Sequence, residues 1–149
     1  MAQSTTPVAN DYFEYLVDVV EKLSTVKDFS RVVKKIVPVS ATESSLKCEL
    51  TIEEEHSNRK GTLHGGQTAT LIDFLTSRTI GLTDRNVRTA SVEISVSYMN
   101  AVKTGDVIEI TATCIKKGRS LAFTECELRR KEDGKIIAKG KQTIAILNK

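Results

Sequence analysis

With 149 residues, 40% of them hydrophobic, the chain is long enough to bury one core and too short for two domains. Its net charge of +3 comes from 22 Lys and Arg dispersed among 19 Asp and Glu, with no basic tract and 5% aromatic residues, so nucleic-acid binding is not indicated. No stretch approaches a membrane span and the N-terminus lacks a cationic start followed by an apolar run, so a soluble, non-secreted protein is expected.

Residues 1–10 are polar and are expected to form a frayed, disordered tail ahead of a single domain over 11–149. From Asp11 to about Lys27, Tyr12, Phe13, Leu16, Val19, Val20 and Leu23 recur at helical spacing, which predicts an amphipathic helix docked on something larger. Its acids Asp11, Glu14, Asp18 and Glu21 argue against a typical transit peptide. The β-branched run Arg31–Val39 reads as an edge or a strand end, closing near Pro38. Leu46, Cys48, Leu50 and Ile52 then alternate with polar residues, a strand with one wet face that stops at the acidic run before His56.

A loop with three glycines, Gly61, Gly65 and Gly66, leads into Thr62–Gly81, which has the length and periodicity of a helix. Ala69, Leu71, Ile72, Phe74, Leu75 and Ile80 spread around much of its circumference, so it is expected to be wrapped by other structure, with Gly81 as its terminator. Everything after it reads as strand: Ala90–Tyr98, Val107–Ile115, Leu121–Leu128 and Ile136–Ile146. The turn-like links Lys103–Asp106, Lys117–Ser120 and Glu132–Lys135 predict antiparallel neighbours. The fold class that follows is α+β, an antiparallel sheet curled around one central helix. Cys48, Cys114 and Cys126 lie in strand-like segments and read as buried reduced thiols.

The chemistry concentrates between Asn58 and Asp73. Gly65 and Gly66 stand where a helix starts, and unpaired N–H groups there suit the oxyanion formed when water attacks an acyl carbonyl. Paired glycines also serve loops that need positive φ or close packing. Asp73 is the candidate base; its neighbours Leu71, Ile72, Phe74 and Leu75 are apolar, and desolvation there would strengthen it for that role. Eight residues of α-helix span about 12 Å, too far for Asp73 to share a water with a carbonyl held at its own Gly65. Two such helices packed antiparallel about a two-fold axis would bring each Asp73 to the partner subunit's glycine corner, making the dimer the catalytic unit. Asn58 is either a turn former or an amide donor. His64 polarises a carbonyl or fixes the loop, and His56 ends a strand. Two histidines eight residues apart with no nearby cysteine make no zinc motif, so no metal is expected.

The runs EEEHSNRKGTLHGGQTATLID, SVEISVSYMNAVKTGDVIEI and KKGRSLAF resemble the hotdog-fold acyl-CoA thioesterases of the phenylacetate-degradation type, from about Phe29 to the end of the chain. HGG alone is a weak signal; HGG with Asn58 before it, Asp73 after it and Ser91 on the next strand is specific. The resemblance implies a hotdog fold that dimerises by joining two sheets into one, with dimers pairing into a homotetramer. It also implies an acyl-CoA substrate, so that coenzyme A enters as part of the substrate and no separate cofactor is needed. It assigns the carbonyl-binding N–H to Gly65, a site amide to Asn58, and to Ser91 a hydrogen bond that helps Asp73 orient water. Lys116, Lys117 and Arg119 around Gly118, or Arg85 and Arg88, could hold the phosphates; a solvated basic turn is the plain alternative. A covalent acyl-Asp73 route, a hotdog enoyl-CoA hydratase or dehydratase using His64 with Asp73, and a non-catalytic acyl-CoA-binding protein all stay open, as does the choice between cytosol and mitochondrion.

Overall fold

The computed structural model describes residues 5–147, with side chains from residue 11 onward. Helix α1 spans Thr5–Lys22 and so begins before Asp11; residues 1–4 of the expected tail lie outside the described residues. It stops short of Lys27 because Leu23 and Ser24 turn their N–H groups back to Val20 and Glu21, and the Ser24 hydroxyl donates to the Glu21 carbonyl. Leu16 and Leu23 are buried in the core, and the helix packs along the first strand.

The strand expected over Arg31–Val39 is largely replaced. Phe29–Val33 forms a 3₁₀ helix capped by Asp28, whose carboxylate accepts the Ser30 N–H at 2.8 Å, and only β1, Val37–Ala41, is extended. A local cap outcompetes the β-branched preference of Val32 and Val33.

The remaining strands are β2 (Ser45–Thr51), β3 (Thr89–Tyr98), β4 (Val107–Lys117), β5 (Leu121–Arg130) and β6 (Ile136–Ile146). They form one antiparallel sheet in the order β1-β2-β4-β5-β6-β3. The links at Lys117–Ser120 and Glu132–Lys135 do join neighbours, but Lys103–Asp106 does not: β3 pairs with β6 at one edge, and β4 lies beside β2. A turn composition fixes a reversal of direction and not the identity of the neighbour. The crossing segment is stitched to the loop before the central helix through Leu63 N–H to Val102 C=O, a Thr62–Lys103 bridge and Gly105 N–H to Ile52 C=O.

Those same bonds take Thr62 and Leu63 out of the helix, so α2 runs Gly65–Gly81. It lies across β2 to β6, burying Leu71, Ile72 and Leu75 against them. Gly140 of β6 permits the approach, since a Cβ there would stand 2.9 Å from Ile72 Cγ2 and Cδ1. Gly81 ends the helix without a positive φ; its bareness accommodates Tyr15 of α1, whose Cζ would lie 2.6 Å from an added Cβ. The wrapping is incomplete: Asp73 sits on a side of α2 that its own chain leaves exposed, contrary to the desolvated setting its apolar neighbours suggest. Leu71, Ile72, Phe74 and Leu75 face the core, and Asp73 falls between them on the uncovered rim. All three cysteines are free; burial pushes the Cys48 thiol up to about 12 and raises Cys126 further.

Candidate active site

The residues singled out from sequence fall into two groups at different points of α2. The first surrounds its N-terminus. His64 is the N-cap, and its Nδ1 accepts the Gly66 N–H at 2.8 Å, which places the ring proton of the neutral imidazole on Nε2. With Gly66 occupied, the Gly65 N–H has no partner among the described residues and stands at the positive end of the helix dipole. Neither glycine has a positive φ; that requirement falls on Gly61, Gly105 and Gly134. Absence of a side chain at Gly65 therefore opens access to its N–H and is not demanded by backbone conformation.

Asn58 knots the preceding loop. Its Oδ1 accepts from Lys60 N at 2.9 Å and Thr62 N at 3.2 Å, while Nδ2 contacts Thr62 Oγ1 at 2.9 Å. The turn-forming role is thus present, and one amide hydrogen is left to donate elsewhere. Buried His56 anchors the same loop through its carbonyl, which accepts the His64 N–H at 2.9 Å. Its Nδ1 accepts from Glu53 N, its Nε2 has no hydrogen-bond partner among the described residues, and burial lowers its pKa against the opposing pull of Glu55 and Glu53.

The second group is centred on Asp73. Its Oδ1 accepts from Ser91 Oγ at 2.7 Å and from Gln142 Nε2 at 2.8 Å, and Gln142 Nε2 also lies 2.7 Å from Ser91 Oγ. Plain alternation would put Ser91 on the same face as Ser95 and Ser97, away from α2. A bulge between Ser91 and Glu93 corrects this: Ser91 pairs with Ile144 and Ile94 with Gln142, so both turn toward the helix side.

Two participants escaped the sequence reading. Gln142 is 2% exposed and held from behind by Thr76, whose hydroxyl lies 3.2 Å from Gln142 Oε1. Its signal was a polar residue in the inward-facing row of β6 with Ala138, Gly140 and Ile144. Tyr98 ends β3, and its hydroxyl donates to the Gly65 carbonyl at 2.7 Å.

The basic candidates divide. Arg85 is engaged with α1, donating to the Asp11 carbonyl at 2.7 Å and lying 5.7 Å from the Tyr15 ring centroid. Arg88 is exposed just before β3, with its carbonyl accepting from Leu147 N. Lys116, Lys117, Gly118 and Arg119 form the exposed tip of the β4–β5 hairpin. Lys117 shares a cross-strand row with Ala122, Ile144 and Ser91, three strand spacings or about 14 Å from the Asp73 partner. No cluster of three metal-ligating side chains occurs among the described residues. Asp73 and Ser91 open onto a cleft of about 240 Å³.

The thioesterase superfamily model matches residues 60–137, which include the glycine corner, Asp73 and Ser91. A putative esterase, F42H10.6, from Caenorhabditis elegans is 50% identical over 141 residues, covering 95% of this chain and 83% of the relative. Acyl-coenzyme A thioesterase 13 from Homo sapiens is 42% identical over 126 residues, covering 85% of this chain and 90% of the relative. The crystal structure of zebra fish thioesterase superfamily member 2 superposes with a TM-score of 0.86 at 38% identity, covering 91% of this chain and 98% of that one. On this sheet-and-helix architecture, this pairing of a bare helix N-terminus with a hydrogen-bonded carboxylate and these matches, the chain is a hotdog-fold thioester hydrolase and belongs to the thioesterase superfamily.

Proposed function

We propose that the protein hydrolyses acyl-CoA thioesters at two identical sites of a homodimer, each site combining the glycine corner of one subunit with Asp73 of the other. The observation that carries this reading is the placement of Gly65 and Asp73 on one unbroken helix, about 12 Å apart along its axis. A second support is the edge strand β3, where Ile94 and Tyr98 are 40% and 58% exposed on the helix side of the sheet, ready to be covered by a second copy.

In the proposed reaction the thioester oxygen accepts hydrogen bonds from the Gly65 N–H and the free amide hydrogen of Asn58. Asp73, held by Ser91, takes a proton from the attacking water; the tetrahedral oxyanion collapses and the CoA sulfur leaves, taking that proton. Losing one oxyanion donor of this kind costs about 2.7–4 kcal/mol of transition-state stabilisation. The β4–β5 hairpin receives CoA phosphates, dimers pair into tetramers, and the enzyme works on fatty acyl groups in the cytosol or mitochondrion. His64 is committed to capping α2, which favours hydrolysis over hydration of an enoyl group through a His64–Asp73 pair.

Complementation between subunits tests the shared site. Asp73→Asn and Gly65→Val chains, each inactive alone, are co-expressed with different tags and the mixed dimer is isolated. Recovery of about half the wild-type rate is expected, because one of its two sites is then intact; a mixed dimer as inactive as its parents overturns the arrangement. Turnover in isotopically labelled water separates direct attack, which leaves the enzyme unlabelled, from an acyl-Asp73 intermediate, which labels the carboxylate.

A further inference from the structure

Arg78 is a half-buried cation that no carboxylate among the described residues answers. Its guanidinium lies over the Phe74 ring, 4.3 Å from the centroid, and its one hydrogen-bonding contact among the described residues is Ser77 Oγ at 3.4 Å. A helix C-terminus favours a cation through its dipole, which is the plain explanation for an arginine in this turn. That explanation would aim the guanidinium at the last carbonyls. Instead the side chain folds back toward the helix N-terminus over Phe74, as helical side chains do, and lines the same cleft as Asp73 and Ser91.

The rest of the cleft is unlike a channel for a plain hydrocarbon tail. Apart from the rings of Phe29 and Phe74, its walls are Ser30, Thr70, Ser77 and Thr89, together with the three charged or site residues already named. Arg78 stands about 7.5 Å beyond Asp73 along the helix axis, five residues at 1.5 Å each. On the α1 side the Tyr15 phenol feels Arg78 and Arg85 and, more weakly, the Asp18 carboxylate, so positive charge predominates there.

Resting on the hydrolytic reading above, we propose that Arg78 is an anion subsite at the far end of the Asp73 cleft, and that the preferred thioesters place a negatively charged oxygen group there. Two parts of a substrate could supply it: a carboxylate ending the acyl chain, or a phosphate of coenzyme A. The first is favoured, since the hairpin at Lys116–Arg119 offers the phosphates a separate place.

The test compares wild type, Arg78→Met and Arg78→Lys on adipyl-CoA, hexanoyl-CoA and hexanoyl-pantetheine, with thermal midpoints measured alongside. For an acyl carboxylate, Arg78→Met should lose about tenfold to a hundredfold in kcat/KM on adipyl-CoA while holding its rate on hexanoyl-CoA, and Arg78→Lys should recover part of the loss. For a CoA phosphate, Arg78→Met should lose on both CoA esters and hold its rate on hexanoyl-pantetheine. Unchanged rates on all three substrates, or an equal loss on all three, overturn the subsite. Wild type that releases thiol from none of them would sink the hydrolytic reading itself, a separate result.

Discussion

Gln142 of β6 donates its amide to Asp73 Oδ1 across 2.8 Å, and the same nitrogen lies 2.7 Å from Ser91 Oγ. The Thr76 hydroxyl lies 3.2 Å from the opposite end of that amide. Gln142→Glu keeps the shape and replaces a donor by a second acid beside Asp73. Like charges at this distance share a proton up to higher pH, so the acidic limb of kcat/KM should move upward and activity near neutrality should fall about tenfold or more. An unshifted pH profile would leave Gln142 with a packing role alone.

Gly65→Ala separates access from folding. The added methyl would stand 3.4 Å from the Tyr98 ring, an ordinary contact, so the unfolding free energy should change by under about 0.5 kcal/mol. Hydrolysis should drop by about 10²–10³ in kcat if the carbonyl must reach that N–H. Equal activity of variant and wild type would remove Gly65 from the site.

Gly81→Ala should do the reverse. Its Cβ collides with the Tyr15 phenol, so the Tyr15 side chain or α1 must shift, at a cost of about 1–3 kcal/mol by overpacking. Chemical denaturation should show the loss, and combining Gly81→Ala with Tyr15→Ala should show less than the sum of the two single changes.

His56 gives stability a pH dependence. Its folded pKa lies below the ordinary 6.5 because burial disfavours the charged ring, so the unfolded chain takes up the proton first as pH falls. The contribution is complete above about pH 6.5 and is lost downward from there through the folded value. Denaturation midpoints should therefore fall more steeply from pH 7 to pH 5 in wild type than in His56→Gln. Parallel slopes would show that the ring does not titrate on unfolding.

Strong periodicity made most of the fold legible. β6 occupies Ile136–Ile146 as its alternation indicates, and the α2 pattern locates the helix that carries Gly65 and Asp73. What failed was information that resides in tertiary partners. The Asp28 cap turned Val32 and Val33 into a 3₁₀ helix, and the segment after Tyr98 crossed to β4 through bonds to Leu63 and Ile52 that no local rule contains. Within the site, Asp73 stands out as a carboxylate among apolar helix residues, whereas Ser91 is singled out only by the resemblance to the hotdog thioesterases. Gln142 is far along the chain, and the bulge that turns Ser91 inward shifts register where composition shows only regular alternation.

One strand touches both halves of the proposed site. Near its start β3 offers Ser91 to the carboxylate, and at its end Tyr98 grips the carbonyl of Gly65. It therefore acts as a common gauge: sliding β3 along β6 would displace the proposed water-orienting group and the proposed oxyanion donor together. Substitutions at the sheet's rim, remote from any substrate, should be able to silence both at once.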